Sequence, residues 1–240
     1  MEKTYMKTLV YILGSGGSGK STLSRAILNY NVIAAPDDYT GIVEIEATVP
    51  ATIRGIAGKE KARYVVSRQA KVALAGNWKN GTDSIKAIDA LPHVLELCWK
   101  ECDTVIVDPV RCSKKFVDWM ANYPEPLAAL FVYLNLTEAT NTDRLLKRRN
   151  MNSKNNEKES VLPEKTYNNM LAFRERASGV YAYACNEYKR FPKLCLVIPE
   201  QFSPAESAAA IYKSLDFLKN NPSEVTGLFH PILFHSFGKE

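Results

Sequence analysis

The chain has 240 residues, 46% hydrophobic and 24% charged, with a formal net charge of +5. That suits one α/β domain with a full core, or one domain with a small insertion, and excludes a disordered or fibrous protein. No apolar run approaches the ~18 residues of a membrane-spanning helix. The five cysteines form no Cys-x-x-Cys pair, and His93, His230 and His235 lie far from most of them. Reduced structural thiols are expected, not a zinc site or disulfides.

In chain order, the lysines before Leu9–Leu13 resemble a signal peptide. The apolar run is too short for one, and a cytoplasmic protein is expected, in the host cytoplasm if the chain is phage-encoded. TLVYIL (8 to 13) predicts a strand buried on both faces. A glycine-rich loop follows, then a helix with Leu23, Ala26, Ile27 and Tyr30 at helical spacing. NVIAAP is a second strand candidate, stopped by Pro36. Ala62, Val65, Val66, Gln69, Ala70, Ala73 and Leu74 predict a helix over 59–76, broken by Gly76 and Asn80-Gly81. Residues 84–100 predict another helix, kinked or divided by Pro92. DTVIVDP (103 to 109) predicts a strand ending in an acid, and Ser113 a cap for a helix to about Ala121. LAALFVYLNL (127 to 136) reads as a strand and 138–150 as a basic helix. Residues 151–160 read as a mobile polar loop. A long helix over 163–189, a strand over 193–199 and a helix over 204–218 complete the alternation. It predicts a mostly parallel sheet with helices on both faces.

Gly14-Ser15-Gly16-Gly17-Ser18-Gly19-Lys20-Ser21, followed by Thr22, fits G-x-x-x-x-G-K-[ST] between a predicted strand and a predicted helix. Glycines let the backbone aim successive N–H groups at phosphate oxygens, and the helix adds the positive end of its dipole. Lys20 would reach the β- and γ-phosphates and Ser21 would ligate Mg²⁺. The expected ligand is a nucleoside triphosphate, taken as ATP.

On these residues the chain resembles the small P-loop kinases, over nearly its whole length. That resemblance implies the three-layer α/β fold of P-loop NTPases. Ala35-Pro36-Asp37-Asp38-Tyr39 resembles the Asp-Asp-Tyr segment of polynucleotide 5′-hydroxyl kinases. It would give Asp37 the role of orienting or deprotonating the acceptor hydroxyl, with Asp38 and Tyr39 beside it. Val105-Ile106-Val107-Asp108 resembles a Walker B strand, with Asp108 holding Mg²⁺ through water. Arg144 and Arg148, four apart on the basic helix, with Arg149 close by, resemble the lid arginines that neutralise charge during transfer.

Charge placement bears on the acceptor. Residues 54–80 carry seven lysines and arginines against the single acid Glu60, while 37–50 carry four acids and no base. Arg54, Arg63 and Arg68, with Tyr64 and Trp78 in the same stretch, suit a phosphate backbone and unstacked bases. Asp108-Pro109-Val110-Arg111 resembles the Asp-x-Arg segment of some phage deoxynucleoside monophosphate kinases, one residue longer, which would set Arg111 against acceptor or phosphate. The expectation is one kinase domain over 1–220, with an acceptor-binding insertion at about 40–100, a lid at about 138–162 and a tail at 221–240. Its acceptor would be DNA, best the 5-hydroxymethyl group of 5-hydroxymethyluracil, as in the phage kinases of that type. A polynucleotide 5′-hydroxyl, a deoxynucleoside monophosphate or no acceptor at all are the alternatives. The tail would pack on the domain or form a homodimer contact.

Overall fold

The computed structural model describes residues 6–29, 41–53, 55–152 and 159–221. At its centre is β1 (Lys7–Leu13), whose six residues from Thr8 onwards are all buried. Leu9, Tyr11 and Leu13 enter one core and Val10 and Ile12 the other, the period-two alternation of a strand covered on both faces. β5 (Thr104–Val107) pairs parallel on one side of it, Leu9 opposite Val105. β6 (Leu127–Asn135) pairs parallel on the other, followed by β7 (Lys193–Pro199). β4 (Val72–Ala75) pairs parallel with β5. β2 (Ile42–Ile53) and β3 (Ile56–Ser67) form an antiparallel hairpin beyond β4, giving the order β2-β3-β4-β5-β1-β6-β7.

Helices α2 (Ala90–Glu101), α3 (Lys114–Ala121) and α5 (Glu164–Glu187) cover the Leu9 face. Helices α1 (Lys20–Leu28) and α6 (Pro204–Asn220) cover the Val10 face. This is the three-layer α/β architecture that the alternation predicts. Ile106, fully buried in the second core, illustrates what holds it: truncation to Ala would cost about 2–5 kcal/mol. A capping box starts α6, with Ser203 and Glu206 exchanging hydrogen bonds.

The helix expected over 59–76 is not there: the segment is β3, a turn and β4. Buried Glu60, Ala62 and Tyr64 alternate with exposed Lys59, Lys61 and Arg63. That is a period of two, which shares its i, i+4 matches with a helical face, and this is what misled the pattern. Pro92 neither kinks nor divides α2; it sits in the first turn, where its missing N–H has no intrahelical partner to lose. The strand expected at NVIAAP lies outside the described residues, and β4 is the parallel strand beside β5. The remaining predicted strands and helices appear within a few residues of their expected bounds. All five cysteines are free.

Candidate active site

The glycine loop leaves β1 at Leu13 and enters α1 at Lys20. Gly19 caps α1 in the left-handed conformation (φ 97°), and no side chain satisfies the first-turn N–H groups. Lys20 is only 5% exposed, and its Nζ donates to the carbonyls of Gly14 and Ser15, both at 2.9 Å. The loop thus folds around the ammonium that a phosphate would recruit. Burial lowers the pKa of Lys20, and the carboxylates of Asp108 and Asp83 oppose that shift.

Helix α4 (Glu138–Asn152) seats on the loop. Asn141 Nδ2 donates to Ser15 Oγ at 2.7 Å, and Arg144 Nη1 donates to the Ser18 carbonyl at 3.2 Å. Leu145 lies so close to Gly17 that a Cβ there would be 2.8 Å from its side chain. Arg144 also lines a cavity of about 310 Å³ formed by Gly17–Gly19, Thr22, the ends of β6 and β7 and the start of α6. Arg148 lies one turn further along the exposed side of α4, and Arg149 is held by Glu159 in a two-bonded pair. Of the expected lid arginines, then, the structure brings Arg144 to the loop.

Asp108, at the end of β5, is 1% exposed. It accepts from the Ser24 hydroxyl and from the Thr82 N–H, and its own N–H donates to Thr82 Oγ1, all at 2.9 Å. Burial raises its pKa, while those bonds and Lys20 pull it down. Among the described residues no group of three or more His, Cys, Asp or Glu could hold a metal ion. The hydroxyl of Ser21 with the carboxylate of Asp108 is instead an oxygen-only, one-carboxylate set. Such a set fits Mg²⁺, which takes its other ligands from phosphates and water.

A second cavity of about 590 Å³ opens on the other face of the sheet. Its walls are aromatic and apolar, from Tyr11, Leu91, Phe116 and Phe173, with Asp83, Lys86 and Arg111 as its charged lining. Tyr11 and Phe116 meet edge to face at 5.2 Å. Glu60, buried on β3, accepts the N–H groups of Lys86 (2.7 Å) and Ala87 (2.9 Å) and so fixes one wall. Arg111 lines this cavity.

Among the described residues, Arg63 and Arg68 do not line it. Arg63 bonds to Glu44 and Glu46 across the hairpin, and Lys61 pairs with Glu46. The basic and acidic stretches read from the sequence thereby neutralise one another on adjacent strands. Arg68 follows the end of β3 that pairs with the start of β4, and it acts electrostatically on Cys102, which precedes β5. It therefore stands at the sheet edge opposite the phosphate loop. Tyr64 is a core residue; the Trp78 ring packs beside Arg25, and the Trp78 backbone N–H donates to Glu44. Asp37, Asp38, Tyr39, Arg54 and the tail at 222–240 lie outside the described residues. Sequence reasoning missed Asn141, Glu60 and Asp83. Asn141 was readable in principle, three residues before Arg144 and so on its helix face. Asp83 follows Asn80-Gly81, which reads only as a helix breaker.

A parallel sheet in which a G-x-x-x-x-G-K-S loop joins the central strand to a helix, beside a strand ending in a buried Asp, defines a P-loop nucleotide-binding protein. The model of the AAA domain family AAA_18 matches residues 10–163, and the chain belongs to this family of P-loop NTPases, which includes kinases. Among curated proteins none matches the chain. Among the described residues no helix is long and apolar enough to cross a membrane.

Proposed function

We propose that the protein is a kinase that transfers the γ-phosphoryl group of ATP to a hydroxyl of DNA, best the 5-hydroxymethyl group of 5-hydroxymethyluracil. The observation that carries the reading is the pair of cavities on opposite faces of the sheet, both at the loop end of β1 and β5. A nucleotide-driven motor or switch needs the first cavity alone. A second one, with aromatic walls and a few charged groups, suits an acceptor molecule.

In this reading the loop N–H groups and Lys20 cradle the β- and γ-phosphates, and the nucleoside occupies the 310 Å³ cavity against Phe202 and Ile198. Arg144 leaves the Ser18 carbonyl to neutralise charge developing on the transferred group. Ser21 and Asp108 would hold Mg²⁺, which would supply further neutralisation of the phosphate charge. The acceptor enters the 590 Å³ cavity against Phe173, Leu91 and Ile85. Support for DNA comes from the kinase resemblance and from Lys86 and Arg111 at this cavity, since the basic hairpin residues are paired among themselves.

Transfer from γ-labelled ATP to three acceptors tests the reading. These are end-blocked duplex containing 5-hydroxymethyluracil, ordinary DNA with free 5′-hydroxyls, and deoxynucleoside monophosphates. Internal label in the first is the expected result. Label only at the ends of the second makes the protein a 5′-kinase, and label only in the third places it in nucleotide metabolism. Phosphate release with no labelled acceptor refutes the kinase.

A further inference from the structure

We propose that Asp83 is the catalytic carboxylate on the acceptor side, taking the proton of a hydroxyl carried by a flat aromatic ring seated in the second cavity. The inference rests on the kinase reading above and adds to it the residue and the acceptor chemistry.

In open α/β sheets, ligands bind outside the carboxyl ends of the parallel strands. β4 is the parallel strand beside β5, and the segment after it carries Asp83.

Asp83 is also held as a reactive group must be. Its Oδ1 accepts the Val110 N–H at 2.9 Å, and among the described residues Oδ2 has no partner. The residue before it, Thr82, exchanges two hydrogen bonds with Asp108. Gly81 packs directly on the Asp108 carboxylate, and Glu60 pins Lys86 and Ala87 on the other side. A short segment fixed at both ends keeps one free carboxylate oxygen at the cavity. Val110, whose N–H it accepts, stands two residues after Asp108, and the Asp83 carboxylate opposes the lowering of the Lys20 pKa.

The lining then selects the acceptor. Tyr11, Phe116 and Phe173 offer ring faces and edges to a planar group. A phosphate acceptor would meet the negative charge of Asp83, whereas a hydroxyl gives it a proton to accept. In the step, the acceptor oxygen bonds to the γ-phosphorus and the bond from that phosphorus to the β–γ bridging oxygen breaks. The hydroxyl proton passes to Asp83 and from there to water, and ADP leaves.

Asp83→Asn keeps the acceptor for the Val110 N–H and removes the base. Transfer to 5-hydroxymethyluracil duplex should fall by about 10²–10⁴ in kcat, with the KM for ATP unchanged and part of the activity returned by Asp83→Glu. Asp37→Asn, assayed beside it, should keep transfer within about tenfold, short of the range for losing a general base. Asp83→Asn with full transfer, or loss confined to Asp37→Asn, overturns the assignment while leaving the kinase intact. Wild-type protein that labels only monophosphates overturns it as well, and wild-type protein that labels nothing removes the kinase reading with it. Phe173→Ala gives an independent reading should Asp83→Asn melt early. The acceptor KM should rise about tenfold or more with the ATP KM unmoved, and an unmoved acceptor KM refutes the ring site.

Discussion

Gly81→Ala tests the most constrained point in the site. Gly81 holds φ 58° with ψ −145°, a region that only glycine occupies readily, and a Cβ there would stand 2.3 Å from Asp108 Oδ1 and 2.8 Å from its Cγ. Neither group can yield easily, because Asp108 is tied to Ser24 and Thr82. Backbone strain costs about 1–3 kcal/mol, and forcing the carboxylate aside adds about 1–3 kcal/mol. Reduced freedom of the unfolded chain returns about 0.4–1 kcal/mol. The net is about 1–5.5 kcal/mol, which lowers Tm by roughly 2–20 °C for a domain of this size. Thermal unfolding by circular dichroism reads it directly. Gly16→Ala is the control: no atom lies within 4 Å of a Cβ there, so stability should change by no more than about 0.5 kcal/mol. A Gly81→Ala protein melting with the wild type would refute the packing of residues 81–83 on Asp108.

Asp108→Asn should separate stability from turnover. Burial raises this carboxyl, so the folded chain holds its proton to higher pH than the unfolded chain does, and the stabilisation is lost as pH rises through the folded pKa. The variant should therefore melt at or above the wild type at neutral pH, the gap closing on acidification, while Mg²⁺-dependent transfer is lost. A variant that falls further behind as pH rises contradicts the sign. Glu60→Gln turns one of two N–H acceptors into a donor, at about 1–3 kcal/mol; it should raise the acceptor KM and leave that for ATP, as steady-state kinetics can show. Arg144→Ala should lower kcat by about 10²–10³ and Arg148→Ala by much less. Equal losses would refute the special place of Arg144 on the loop.

The sequence made the nucleotide side legible and the acceptor side obscure, for one physical reason. The phosphate loop, α1 and the Asp108 strand are contiguous, and their chemistry sits in local patterns: glycines, a lysine, a hydroxyl, and an acid ending an apolar run. The acceptor cavity is assembled from Tyr11, Asp83, Arg111 and Phe173, residues spread over more than half the chain that only the folded sheet brings together. Only Arg111 among them is marked by the sequence, through the likeness of Asp108-Pro109-Val110-Arg111 to a kinase segment. The hairpin failed for another reason. Lys61 and Arg63 read as free charge until cross-strand pairing sets them beside Glu44 and Glu46, a relation that a single strand does not display. Buried Glu60 looked like one acid in a basic run, yet it is the residue that joins the hairpin to the cavity wall.

The partition of γ-label in a single turnover tests the account most directly. Wild-type protein is mixed with labelled ATP, Mg²⁺ and end-blocked duplex containing 5-hydroxymethyluracil, and the label is followed into DNA and into free phosphate. The account predicts that most of the label appears at internal positions of the DNA. Label that appears as free phosphate at the same rate with and without DNA would contradict it and leave a P-loop NTPase whose second cavity serves no acceptor.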